Sequence, residues 1–426
     1  MPIQPTQPAR SSTRNATHQL TAVVLVAMLW HPAGASTEDP TTSMFSFSGF
    51  GTLGVVHSSE DDADFTSSRL KPNGAGYTRA WSPAVDSTAG AQVTANFTPQ
   101  LSAVLQIIAE QNYDNTYIPH VEWANIKYQF TPEVSVRVGR IVLPVFLVSD
   151  SRMVGYANPW VRPPVEVYDF VPVSDSDGAD ASYRINVGDF VNTVMGTYGR
   201  NSSRAPEGGN VIGRREWVVS DTVEYGAVTI HLAYEETHLT IDSLNALFAA
   251  FRQYGAQGNA LADRYDVDDK PFRFIGLGGM YDPGAWFVTG EWGATQFHSV
   301  VGDGTAWYVS GGYRLAKFTP YLSYAQVKAD SNTFDPGLTV SALPPSLAAP
   351  AVGLNTELNS ILGSIAVQKT ISVGARWDFL KNVDLKLQYD RTRLGAGSPG
   401  TLINLQPDFR PGVGVNLFSI AIDFVL

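Results

Sequence analysis

The chain has no cysteine in 426 residues, only 16% charged side chains, and no apolar run long enough to cross a bilayer as a helix. Each absence excludes something. Without cysteine there is no disulfide scaffold and no thiolate chemistry, a composition that suits an exported protein able to fold without cross-links. A formal net charge of −11 argues against nucleic acid as a partner, because phosphate binding needs a Lys/Arg surface. The seven histidines are scattered, with no H-E-x-x-H pair and no metal spacing, and there is no G-x-S-x-G nucleophile elbow. His231, His238 and His298 read as lumen or rim residues rather than catalysts. No cofactor is implied. Gly49-Phe50-Gly51-Thr52-Leu53-Gly54 matches a dinucleotide fingerprint but lies inside a strand pattern with no helix after it. Asp175 to Asp180 resembles a fragment of a calcium loop but lacks the remaining ligand positions and the closing Glu.

What the chain does have begins with an address. Arg10 and Arg14 precede the apolar run Leu20 to Trp30, and Ala33-Gly34-Ala35 fits a small-x-small cleavage site. Residues 1–35 read as a secretory signal, since this run is well short of the roughly 20 residues a membrane helix requires. Residues 36–426 then form the mature domain, and losing Arg10 and Arg14 takes its formal net charge to −13. No Pro-rich or Gly/Ser-rich linker divides it, so one large β-domain is expected.

The segment 370–393 shows the repeating unit. Ile371, Val373, Ala375, Trp377 and Phe379 share one parity, and Thr370, Ser372, Gly374, Arg376 and Asp378 share the other. After a tight connection at Leu380-Lys381-Asn382, Val383, Leu385, Leu387 and Tyr389 alternate with Asp384, Lys386, Gln388 and Asp390. About sixteen such strands can be placed, near the roughly 9 to 11 residues that cross a bilayer when tilted. Strands 190–199 and 318–328 alternate poorly. Every second link is a short turn, while the others, such as 58–86, 143–178, 239–271, 329–365 and 394–411, are long and polar. The fold expected is therefore all-β: a transmembrane, antiparallel, up-and-down β-barrel with long loops at one rim and short turns at the other.

Closure follows from the solvent. A sheet edge left open in hydrocarbon would strand backbone N–H and C=O groups at several kcal/mol each. With about sixteen strands the lumen is too wide for side chains to fill, so a water-filled channel is expected. Arg137, Arg376 and Lys386 sit on the polar parity, where they avoid the roughly 2 to 4 kcal/mol cost of a cation facing lipid. Phe97, Tyr128, Phe130, Tyr281, Trp286, Phe318 and Phe379 lie near the short turns, as an interfacial aromatic girdle would. The fifth long connection holds Leu244, Leu247, Phe248 and Phe251 at helical spacing, which predicts a short amphipathic helix. The seventh, rich in Ala, Pro and Leu from Val340 to Leu354, is expected to be mobile or to cover the mouth.

With these features the mature chain resembles the outer-membrane porins of Gram-negative bacteria. The residues that carry the resemblance are the opening strand FSFSGFGTLGVV, the segments YDPGAWFVTGEW and AWYVSGGYRLAKFTPYLSYA, and the closing strand VNLFSIAIDFVL. Porins usually finish on Phe or Trp, whereas this chain finishes on Leu426. The resemblance implies an outer-membrane location, contact with outer-membrane lipid and lipopolysaccharide, a homotrimer, and passive passage of small hydrophilic solutes and ions. It also implies that the loop after the fifth strand, here 143–178, folds inward as a constriction. Five prolines would stiffen that loop, and Asp150, Arg152, Arg162, Glu166 and Asp169 give it both signs of charge. Lys127, Arg137 and Arg184 on adjacent strands, with Arg376 and Lys386 elsewhere on the wall, complete the expected pore lining, in which an acidic loop facing a basic wall would set a transverse field. The mature charge suggests a mild preference for cations. A substrate-specific channel for an anion, a sugar or an aromatic compound is the alternative. A barrel phospholipase would need a Ser/His pair on the outer wall, and none can be placed.

Overall fold

A computed structural model describes residues 43–206 and 208–426. The leader expected over residues 1–35 lies outside the described residues. Sixteen long strands make one antiparallel sheet. In chain order they are β1 (Phe45–Ser58), β2 (Thr88–Asn96), β3 (Leu101–Glu110), β4 (His120–Gln129), β5 (Val134–Val142), β6 (Asp175–Val187), β7 (Phe190–Arg204) and β8 (Asn210–Tyr225). They continue as β9 (Val228–Ile241), β10 (Lys270–Tyr281), β11 (Trp286–Gln296), β12 (Gly304–Tyr313), β13 (Phe318–Ala329), β14 (Gln368–Leu380), β15 (Val383–Leu394) and β16 (Gly414–Val425). Each pairs with its neighbour in sequence, and β1 pairs with β16 from Phe50 opposite Val425 to Ser58 opposite Leu417. The sheet therefore closes, and no edge is left.

Burial is inverted relative to a water-soluble sandwich. On β15 the inward Asp384, Lys386, Gln388 and Asp390 are all buried, whereas the outward Leu387 and Tyr389 are more than 40% exposed. On β14 Ile371, Val373 and Trp377 are exposed and Thr370 is buried. A period of two supplies two faces, and only a surrounding apolar solvent makes the greasy one the outer one. At the short-turn rim the expected girdle is present: Phe318 stacks on Trp377, Tyr281 packs edge-on against Trp286, and Tyr128 against Phe130. Asn382, with φ of 62°, closes the two-residue turn between β14 and β15 in a conformation that asparagine tolerates.

Several boundaries differ from the sequence expectation. Strands β6 to β9 run beyond their apolar stretches, to 13–16 residues each, because their upper halves stand clear of the apolar band and carry polar residues on both faces. Asp175 to Gly178 belong to β6, so the third long connection ends at residue 174 and the acidic run there is strand rather than a calcium loop. Among the described residues no group of three or more His, Cys, Asp or Glu could hold a metal.

The poor alternation of 318–328 has a cause. Inward Tyr321, Ala325 and Val327 are covered by protein, in the same cluster as Trp160, Phe146 and Tyr168, rather than by water.

Among the described residues helices occur only in connections. The third long loop has a single turn, α1 (Val165–Tyr168), and the fifth has α2 (Asn245–Arg252) and α3 (Gly255–Tyr265). Leu247, Phe248 and Phe251 are buried there as the spacing predicted. The seventh connection holds α4 (Pro345–Gly363), in which Ala351, Leu358 and Leu362 join the cluster formed by α2 and α3. Among the described residues no helix is long and apolar enough to cross a membrane, a statement that does not concern strands.

Candidate functional site

The third long loop, residues 143–174, is fastened to the inward faces of strands far from its own ends. Trp160 Nε1 donates to Ser310 Oγ on β12 at 2.8 Å, and the backbone N–H of Val161 donates to Gln388 on β15 at 3.2 Å. Arg162, 7% exposed, donates to both oxygens of Asp86 at 2.7 and 2.5 Å, to Asp390 on β15 at 3.4 Å and to Ser419 on β16 at 2.7 Å. Glu166 accepts hydrogen bonds from Gln368, at 2.8 Å, and from Thr370, both on β14. Tyr168 donates to Glu291 on β11, which also accepts from Tyr308 and from the Leu147 backbone.

Toward the short-turn rim the wall reaches back. Arg376 donates to the carbonyl of Tyr156 at 2.6 Å with its guanidinium over that ring, and Lys386 donates to the carbonyl of Gly155 at 2.7 Å. Both cations are compensated on the wall itself, Arg376 by Asp384 at 3.1 Å and Lys386 by Asp423 at 2.9 Å. A Cβ at position 155 would lie 2.1 Å from Asp423 Oδ1 and 2.4 Å from Thr52 Oγ1, so a larger residue there would displace both side chains.

Burial sets the protonation tendencies of the loop's own groups. Desolvation pushes the Glu166 carboxyl above its ordinary value, against the hydrogen bonds from Thr370 and Gln368 that oppose the shift. Asp169 is raised for the same reason, with the Arg69 guanidinium at 2.8 Å opposing. Burial, and next the Glu291 charge, hold the Tyr168 phenol well above its usual range.

Of the ten residues proposed from sequence as pore lining, five are occupied in fastening. Arg162 and Glu166 pin the loop to the wall, Asp169 ties it to the first loop through Arg69, and Arg376 and Lys386 hold it from beneath. Arg152 donates to four carbonyls of its own loop, Tyr168, Val171, Pro172 and Val173, with its guanidinium over Phe146 and Tyr168. Arg137 is matched by Asp180 on β6 at 2.8 Å. Arg184 is exposed and 3.9 Å from Glu224 near the short-turn rim. Lys127 is half-buried and Asp150 is exposed. Between the loop and the β2–β6 side remains a polar cavity of about 460 Å³, whose lining includes Lys71, Glu110, His120, Glu122, Arg140 and Arg152.

Sequence reasoning missed the acceptors: Asp86, Glu291, Asp384, Asp390 and Asp423. Three of them share the inward parity of Lys386, which was the available signal. Glu291 shares the inward parity of Thr289 and Thr295 on β11, whereas Asp86, in the first long connection, gave no such signal.

No protein-family model and no curated protein matches the sequence. Solved structures do match in shape. The outer membrane channel DcaP of Acinetobacter baumannii is 11% identical, with 90% of this chain and 97% of that one covered at a TM-score of 0.53. Salmonella typhi OmpF, in complex with daunomycin, is 14% identical over 90% and 97% at 0.52. The anion-selective porin from Comamonas acidovorans is 12% identical over 90% and 99% at 0.51. The fold is that of the 16-stranded porins.

Proposed function

We propose that this protein is an outer-membrane channel through which small hydrophilic solutes and ions diffuse passively, with the loop 143–174 as its constriction. The observation that carries the reading is the inverted burial around a closed barrel, polar inside and apolar outside, together with an inserted loop that covers only part of the wall. Such a body is stable only with hydrocarbon around it and water within it. Its long-loop rim faces the exterior and its short turns face the periplasm.

Passage is set where the loop meets open water. There Asp150 and Lys127 act in opposite senses, and the mature excess of acidic groups tips the balance mildly toward cations. Asp150→Asn should move the reversal potential in a salt gradient toward anions, and Lys127→Gln should move it toward cations. A wild-type channel with clear anion preference would defeat the cation assignment.

Subunits associate as homotrimers through the β2–β5 side. Strands there are short, at 9 or 10 residues, and present small outward residues such as Ala89, Ala91, Ala103 and Ala124. Light scattering in detergent reads the mass, and a monomer would remove this element. The central test is single-channel conductance of refolded protein with and without residues 150–170. An increase is expected, and unchanged conductance would remove the constriction assignment. Saturation by one solute would replace passive diffusion with the substrate-specific alternative.

A further inference from the structure

Among the described residues, all buried carboxylates but two are satisfied by protein partners. Asp180, Asp384, Asp390, Asp423 and Asp335 each face a cation. Asp64, Glu122, Glu166 and Glu291 accept hydrogen bonds from side chains. The exceptions are Glu216 on β8 and Glu235 on β9, which are 0% and 1% exposed. Glu216 accepts from Asn201 through Oε1, but its Oε2 has no partner. The Oε2 of Glu235 has none either, and among the described residues no ion pair includes either side chain.

The two carboxylates are neighbours. Val218 on β8 lies directly opposite Glu235, and Glu216 is the next inward residue of β8. Thr197 on β7 lies opposite Val218 from the other side; it is 4% exposed and its hydroxyl is also without a partner. Three unpartnered side-chain oxygens thus belong to one inward patch across β7, β8 and β9. From β6, the Ser176 hydroxyl reaches Glu216 as well. Arg140, near the same end of β6, is taken up by Asp175 and Asp177. His231 stands two inward positions along β9, beyond Ala233, so the patch itself offers oxygen alone.

Charge balance says what this patch would take. Two adjacent carboxylates carry two negative charges, and burial makes each costly unless it is paired. One shared proton would cancel a single charge and leave the Thr197 hydroxyl unanswered. A divalent cation cancels both and takes hydroxyl oxygen as well. An all-oxygen set favours a hard cation over zinc or copper, and calcium tolerates irregular geometry where magnesium demands an octahedron.

We propose that Glu216 and Glu235 bind one calcium-type divalent cation, with Thr197 and Ser176 adding neutral oxygens and Asn201 orienting Glu216. The site stands behind the root of the inserted loop. Val218 belongs to the apolar cluster of Leu143, Val145 and Phe146, where the loop begins. The loop's neck is closed by the Leu143 N–H donating to the Ser174 carbonyl at 2.9 Å, two residues before Ser176. A cation there ties four adjacent strands together at the point from which the loop hangs. Its binding does not depend on what passes through the lumen.

The test is to refold the full chain in detergent with Ca²⁺, desalt it, and count the retained calcium by elemental mass spectrometry. Wild type should retain one Ca²⁺ per chain, and refolding in chelator should lower its thermal midpoint. Glu216→Gln and Glu235→Gln keep the side-chain shape and remove one charge; each should weaken calcium retention about ten-fold or more and lose the calcium-dependent part of the midpoint. Glu357→Gln, on the exposed side of α4, should retain calcium as the wild type does. Heat-modifiable gel mobility establishes folding, and should both glutamine variants fail to fold, Thr197→Val decides, with a several-fold loss expected. A wild type that retains no calcium overturns the proposal, as does equal retention by wild type and the two glutamine variants. Conductance is not read in this experiment, so a failure of the channel reading and a failure of the cation site are told apart.

Discussion

The two sides of the lumen are made by the same sequence rule and end in different environments. From β11 round to β16 and β1, the inward polar residues meet the inserted loop: Asp390, Ser419, Gln388 and Glu291 each accept or share a hydrogen bond from it or hold a group that does. From β2 to β6 the inserted loop makes fewer hydrogen bonds to the wall, Ser174 to Glu122 among them, and ion pairs run within the wall, as between Arg137 and Asp180. Alternation therefore specifies that a face is polar but leaves open what satisfies it. On the covered side a low local dielectric makes each unpaired group costly and each complete network rigid. The bare side, where water can replace a lost partner, tolerates change.

The largest effect should come from removing the cation that joins loop, first connection and wall. Arg162→Met leaves Asp86 and Asp390 buried without compensation, and breaking such a pair costs about 3–5 kcal/mol. Because the sixteen-strand ladder does not depend on it, the cost falls on loop docking. Amide exchange across residues 150–170 should accelerate while exchange in β14–β16 stays slow, and channel noise should rise. Uniform acceleration would mean that the barrel itself had loosened. Tyr168→Phe is a smaller cut, deleting one hydrogen bond to a charged acceptor and lowering the loop's opening free energy by about 1.5–3 kcal/mol. The bare side supplies the contrast: Arg184→Gln, at an exposed pair with Glu224 3.9 Å away, should change barrel stability by less than about 1 kcal/mol and leave the loop's exchange untouched. Equal effects from Arg162→Met and Arg184→Gln would abolish the distinction between the two sides.

How far each side was readable in advance follows from the range of the interactions. Strand number, parity and closure were legible because a period of two is written within each strand, as in Ile371-Val373-Ala375-Trp377, and the tight turns mark every second link. The upper halves of β6–β9 were not, since strand above the apolar band has no greasy face to alternate. Helix α4 was hidden by Pro345, Pro350 and Gly353, which read as loop; its first turn accommodates Pro345, and tertiary packing of Leu358 and Leu362 overrides the rest. The loop's charges were recognised, but not what they bind. Arg162 and Asp390 are 228 residues apart, and nothing local in either segment records the other.

The smallest expected effect concerns protonation on the covered side. The docked loop buries Glu166, whose carboxyl is raised above its ordinary value by desolvation, while an undocked loop would expose it to water. Between the ordinary and the raised value the docked state therefore holds more protons than the undocked one. By linkage, docking strengthens as the pH falls through that window and weakens as it rises. Below the ordinary value both states are protonated and the dependence ends. Asp169, raised by burial against the opposing Arg69, acts in the same direction. Glu166→Gln keeps a side chain of the same shape that never ionises, so loop exchange at neutral pH should be close to wild type while part of its pH slope disappears, the remainder following Asp169→Asn. The β2–β6 wall has no loop carboxyl to bury, and its exchange serves as the internal reference. A slope that persists in full in the double variant would place the titrating group elsewhere in the wall and remove Glu166 from the coupling.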